Sequence, residues 1–197
     1  MKQVFLFAFS LFSSQLFAQF ERADIISKKI KSITTSYWTS DSSQKIETKT
    51  YYTIQGDDSL EYYCGKPSFR FKTFFSKNGR VERLERHDVV DRVDELHMYK
   101  YEKDGSYSIE VVAHGAGTII FSKYDKYNKC LEQTFSSVET LHYKYDSSGK
   151  LIKILYNEMN EKSIEVATVV YNREGFIEKI VGKDATTGTQ YFKYNIF

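Results

Sequence analysis

Tyr143-Lys144-Tyr145-Asp146-Ser147-Ser148-Gly149-Lys150-Leu151 writes out the end of a strand, a turn and the start of a return strand. Asp146 can accept a hydrogen bond from the backbone two residues on, which favours a type I turn. Gly149 then takes the left-handed conformation at no steric cost, and the result is a three-residue hairpin loop with a bulge. Before the turn, Tyr143 and Tyr145 flank Lys144 in the period of two that belongs to a strand.

The phrase recurs on both sides of this copy. An aromatic residue, three turn-prone positions and then Gly or Asn appear as Tyr52…Gly56, Phe75…Gly79, Tyr101…Gly105, Tyr124…Asn128, Tyr145…Gly149 and Tyr171…Gly175. Successive turn positions lie 23, 26, 23, 21 and 26 residues apart. A period in the twenties marks stacked supersecondary units. Asn128 stands for Gly in one copy, and Asn is the other residue that tolerates a left-handed backbone well. An apolar residue follows two positions past the turn residue, at Val81, Tyr107, Cys130, Leu151 and Ile177. Another stands five past it at Leu84, Ile154 and Ile180. A step of three inside a strand breaks alternation and requires a bulge or a change of twist.

The sequence therefore predicts an all-β fold: an antiparallel meander of repeated β-hairpins forming one curved or rolled sheet. About a dozen strands are expected, and single sheets that long curl, split or close. Ile33, Thr35 and Tyr37 face one way, and Ile46, Thr48, Thr50 and Tyr52 read as the return strand of a degraded first copy. The last strand, Thr189 to Ile196, is placed to cap or close the sheet. Val81, Leu84, Val89, Val93 and Leu96 also fall near helical spacing, so Arg80 to Leu96 has a second reading as a helical insertion.

Residues 1–18 read as a secretory signal peptide: Lys2 is basic, Val4 to Phe12 is apolar apart from Ser10, and Ala18 is a small residue at the cut. The apolar run is shorter than the roughly 20 residues of a membrane helix. A weak pattern over Glu21 to Lys29 permits a short N-terminal helix. Residues 19–197 then form a single domain, secreted or periplasmic. The chain's net charge of +2 gives no pull towards nucleic acid. Sixteen Tyr, 15 Phe and a single proline favour strands. Cys64 and Cys130 meet an oxidising compartment and either pair or stand as two buried thiols.

The copies Tyr143 to Leu151 and Tyr124-Asp125-Lys126-Tyr127-Asn128-Lys129 resemble the tyrosine–aspartate (YD, or RHS) repeat family, and the similarity runs roughly from Tyr37 to Phe197. Large members wind such hairpins into a hollow shell, some around a toxic C-terminal domain; others sit on cell surfaces and are linked to carbohydrate or protein contacts. The resemblance implies a hairpin scaffold of six or seven copies. The Asp-Pro self-cleavage motif of the large members is missing, since Pro67 is the only proline, so no toxin-delivery role is expected.

Chemistry is hard to find. His97 lies four residues before Tyr101 and His142 three before Tyr145, offsets that point to opposite strand faces and argue against a shared histidine site. Neither His87 nor His114 joins a metal-binding spacing, and no metal or cofactor is expected. Asp88, Asp91, Asp94 and Glu95 form an acidic cluster without the glycine or spacing of a calcium loop, and a solvated connection is the better reading. No nucleophile is nominated, so the chain reads as non-catalytic. The tyrosines carry the sharper expectation: Tyr99 with Tyr101, and Tyr143 with Tyr145, place rings on one face, fit for stacking on sugars or a partner protein. Their structural alternative is a cross-strand ladder.

The functional expectation is a secreted, non-catalytic envelope or extracellular scaffold or binding module for carbohydrate or an envelope protein. It is not expected to bind nucleic acid or to be an integral membrane protein. Two alternatives stand beside it. One is a small outer-membrane β-barrel, against which Arg80 to Arg86 puts charge on both strand faces. The other is an enzyme whose site is assembled from strand faces.

Overall fold

The computed structural model describes residues 29–38, 45–52, 58–63, 65–115, 117–135, 139–158, 162–183 and 189–196. Residues 1–28, Gly56 and Cys64 lie outside the described residues. With them lie the leader, the short N-terminal helix up to residue 28, the first turn position and the Cys64–Cys130 pairing.

Fourteen strands follow one another among the described residues: β1 (Ile30–Trp38), β2 (Lys45–Tyr52), β3 (Asp58–Tyr63), β4 (Lys66–Phe75), β5 (Val81–His87), β6 (Val93–Tyr101) and β7 (Tyr107–Ala113). The second half holds β8 (Gly117–Tyr124), β9 (Cys130–Phe135), β10 (Glu139–Tyr145), β11 (Leu151–Glu158), β12 (Ile164–Tyr171), β13 (Ile177–Gly182) and β14 (Thr189–Ile196). Each strand pairs antiparallel with its neighbours in sequence, and β1 pairs with β14 from Ile30–Ile196 to Tyr37–Gln190. The meander is therefore a closed barrel, and closure removes the two exposed edges an open sheet would present.

The five repeated turns among the described residues have the expected geometry. In the Tyr145 copy, the Gly149 amide donates to the Asp146 carbonyl at 3.0 Å and the Asp146 amide to the Lys150 carbonyl at 2.9 Å. Asp146 Oδ1 accepts the backbone amides of Ser148 and Lys150, each at 2.9 Å. Gly149 has φ of 86° and Asn128 of 62°, the left-handed region. Arg80 to Leu96 holds β5, a turn and β6. Its turn repeats the same hydrogen bonds at the opposite end of the barrel, with Asp91 left-handed at φ 65°. The helical reading is corrected: a residue periodicity near 3.6 is also what two strands give when a bulged turn lies between them.

The step of three after the turn is a bulge. Tyr145 pairs with Leu151 while Lys144 pairs with Lys153, so Ile152 has no partner across the ladder. Glu82, Leu131 and Glu178 are skipped in the same way. The extra residue turns both the second and the fifth position past the turn into the barrel, and Leu151 and Ile154 are both buried. In the Tyr101 copy Tyr101 pairs with Tyr107 and Lys100 with Ser108, with no skipped residue, and the fourth position, Ile109, is buried instead.

Candidate functional site

Alternation gives the barrel two faces, and the turns give it two ends. Ile33, Ile109, Val111, Ile120, Leu141, Ile154 and Ile180 point inward and form one apolar core. Between them the outward positions carry charge along the strands: Lys72 and Arg83 on β4 and β5, Lys123 and Glu132 on β8 and β9, Lys153 and Glu165 on β11 and β12, and Lys193 on β14. Lys153 and Lys183 both reach Glu165, at 3.3 and 2.9 Å, and these contacts hold its carboxyl below the usual carboxylate range.

The end of the barrel that carries the repeated turns is packed with aromatic rings. Tyr107 lies between Tyr99 and Tyr124, and its ring is 4.7 Å from that of Tyr124 and within 3° of parallel. Tyr101 leans on Tyr107 at 5.3 Å. The Tyr145 hydroxyl donates to the Cys130 carbonyl at 2.8 Å, Tyr171 to Leu151 at 3.1 Å and Tyr194 to Ile177 at 2.8 Å. Each acceptor stands two residues past the preceding turn residue, so every tyrosine of this set ties its own strand to the copy before. Burial raises the Tyr194 and Tyr124 hydroxyls well above the usual phenol range. Tyr143 is 3 % exposed, and its hydroxyl donates to Gln133. Tyr99, Tyr101, Tyr143 and Tyr145 thus lie on the inner face of the wall, in the cross-strand ladder that was the structural alternative. Cys130 is buried among them, its Sγ 3.6 Å from the Glu132 carbonyl.

Polar groups form a second layer nearer the middle. Gln133 donates to Ser122 at 3.2 Å while accepting from Tyr143, a buried network across β8, β9 and β10. Gln133 occupies the fifth position past its turn, where Leu84, Ile154 and Ile180 stand in other copies. A polar residue in a core slot of the repeat was the signal that could have singled it out.

Charged side chains gather on β5 and β6. Arg86 bonds Asp94 and lies 2.7 Å from Glu95, with its guanidinium 4.0 Å above the Phe69 ring. The other Glu95 oxygen faces His97 Nε2 at 3.2 Å. The two oxygens of Glu95 thus join Arg86 and His97 in one charge network. His97 turns inward across from Leu84, whereas His142 turns outward to Glu132, with 3.7 Å between Nδ1 and Oε2. His87 is buried, with Nε2 2.9 Å from Glu85 and Nδ1 3.2 Å from the Asp91 carbonyl. The acidic run is a hairpin turn in which Asp88 Oδ1 accepts the Val90 and Arg92 amides. Among the described residues no group of His, Cys, Asp and Glu converges as a metal site.

Comparison with known proteins finds likeness in structure alone. No family model and no curated protein matches the chain. A porin-like protein from Bacteroides uniformis is 9 % identical, with 85 % of this chain and 98 % of that one covered at a TM-score of 0.45. The Tc holotoxin pore of Photorhabdus luminescens is 12 % identical over 71 % of this chain, at a TM-score of 0.30. A crystal structure containing TcdB2 and TccC3 is 10 % identical over the same share, at 0.32. This chain spans 11 % of the length of each of those two toxin chains.

A closed barrel stands nearer to the outer-membrane alternative raised by the sequence than to an open scaffold sheet, and the chemistry of its outer face is what separates the two.

Proposed function

We propose that the chain is an exported, water-soluble β-barrel of the bacterial envelope or exterior, and that it acts as a non-enzymatic binding module. The single observation that carries this reading is the sidedness of the wall. Lys72, Arg83, Lys123 and Lys193 stand exposed on the outside, while Ile33, Ile109, Ile120, Ile154 and Ile180 fill the inside. A lysine or arginine facing lipid near the bilayer midplane costs about 2–4 kcal/mol. Four of them at that depth would cost about 8–16 kcal/mol, comparable with the whole stability of an ordinary domain, about 5–15 kcal/mol.

The turn geometry supports kinship of construction with the YD-type hairpin repeats. The second reading, an outer-membrane barrel, is favoured by the closed fourteen-strand topology. Purification of residues 19–197 decides between them. A monodisperse, folded chain in buffer without detergent is the expected result. Recovery only in detergent, with sedimentation alongside outer membranes, would overturn the water-soluble reading in favour of the membrane barrel.

A further inference from the structure

The repeat sends two kinds of side chain into solvent by geometry alone. One is the turn-tip residue just before the left-handed Gly or Asn, which is Asn78, Asp104, Tyr127, Ser148 or Glu174. The other is the bulge residue that the ladder skips, which is Glu82, Leu131, Ile152 or Glu178. All of them are exposed, and six are polar or acidic. Tyr127, Leu131 and Ile152 are the apolar exceptions, at 60 %, 45 % and 41 % exposed. The three fall on neighbouring hairpins, β8–β9 and β10–β11. Leu131 and Ile152 have only β10 between them, so their strands are roughly 10 Å apart.

Lysines surround this patch. Lys126 and Lys129 flank the Tyr127 ring at 5.1 and 6.0 Å, and Lys150 follows the next turn. Lys144 stands exposed on β10, between the strands of Leu131 and Ile152. None of these four lysines makes an ion pair among the described residues. The carboxylates of the same turns are engaged by backbone: Asp125 Oδ1 accepts the Tyr127 and Lys129 amides, and Asp146 Oδ1 those of Ser148 and Lys150.

We infer that this face of the barrel rim docks on an anionic lipid surface. Tyrosine and aliphatic side chains set among lysines suit the boundary between headgroups and acyl chains. Lysine stems lie along that boundary while their ammonium groups stay at the level of the phosphates. Charge complementarity selects lipid over a protein partner. Lys144 lies in the middle of the apolar residues, and lysine is depleted from the dry core of protein interfaces. A fluid headgroup layer gives each ammonium its own phosphate. The turn at the opposite end also exposes apolar residues, Val89 and Val90, but it sets them between Asp88 and Asp91. That end has no such complement to an anionic surface.

The assignment names the partner of the binding-module reading and rests on it. The detergent-free barrel is sedimented with vesicles of phosphatidylglycerol and phosphatidylethanolamine, and separately with vesicles of phosphatidylcholine alone. It should pellet with the first and stay in solution with the second. Raising salt from about 0.1 to 1 M, where the screening length falls from ~10 to ~3 Å, should release it. Lys144→Gln should weaken partitioning about fivefold. Leu131→Gln with Ile152→Gln should weaken it about tenfold or more, with the near-UV circular dichroism of the wild type. Tyr127→Ser gives the same readout where that pair fails to fold, and Val89→Ser with Val90→Ser should change nothing. Pelleting with neither vesicle, equal pelleting with both, or full binding by the folded Gln variant overturns the assignment. So does a dimer in solution that the same Gln substitutions dissolve, which gives the face to a second copy. A barrel that needs detergent fails the earlier reading before any vesicle is added, whereas a soluble barrel blind to vesicles fails only this one.

Discussion

The tyrosine hydroxyls that bind back to the preceding copy make a quantitative prediction. Tyr171→Phe removes the 3.1 Å bond to the Leu151 carbonyl and keeps the ring. A lost hydrogen bond of this kind costs about 0.5–1.5 kcal/mol. For a domain of this size that is a fall in Tm of roughly 1–6 °C. Tyr145 and Tyr194 make the equivalent bonds on β10 and β14, each two strands from β12. Neighbouring strands are about 4.8 Å apart, so the outer two sites each stand almost 10 Å from the one on β12 and about twice that from each other. Changes at that separation usually add. The triple Phe variant should therefore lose about 1.5–4.5 kcal/mol in urea unfolding with an unchanged m-value. A triple variant no less stable than the single one would refute the claim that the repeat aromatic is an anchor to the copy before it.

Two further outcomes follow from the turns. Gly149→Ala forces a Cβ into a left-handed backbone, a cost of about 1–2 kcal/mol, and the new atom would lie 2.5 Å from the present position of Lys129 Nζ. Asn128→Gly should instead raise Tm slightly, and equal losses in the two variants would contradict the turn assignment. Asp146 is held below the usual carboxylate range by the Ser148 hydroxyl and the Lys150 amide, Asp104 by Ser106, and Asp88 chiefly by the Arg92 amide. Groups with depressed folded values stabilise fully above their unfolded value near 3.8, and the contribution is lost as pH falls through the folded value. Thermal melts between pH 6 and pH 2 should thus decline below about pH 4, and Asp146→Asn should flatten that decline.

The turns were legible because each is decided by a few adjacent residues: Asp, Asn or Ser to open, Gly or Asn to take the left-handed position. The bulge was legible through Leu84, Ile154 and Ile180, whose offset from the turn calls for a bulge or a change of twist. Closure was legible only as one outcome among curling, splitting and closing, because the β1–β14 ladder joins residues such as Thr35 and Phe192 that carry no mark of each other. The tyrosines show a different limit. Period two puts Tyr143 and Tyr145 on one face, but only a closed wall decides that this face is the inside. Thr35 was visible on one strand face and Thr48 and Thr50 on that of the return strand, and their position in a core was not.

The ladder between β1 and β14 also sets how the chain must fold. Every other ladder joins strands adjacent in sequence, so hairpins can form locally and zip in either direction with little loop-closure entropy. One step alone is non-local, the meeting of Ile30 to Tyr37 with Gln190 to Ile196, and low-contact-order growth ends in a single long-range event. Until that event both terminal strands are open templates for another copy, so the last step of folding is also the one at which two chains can exchange partners.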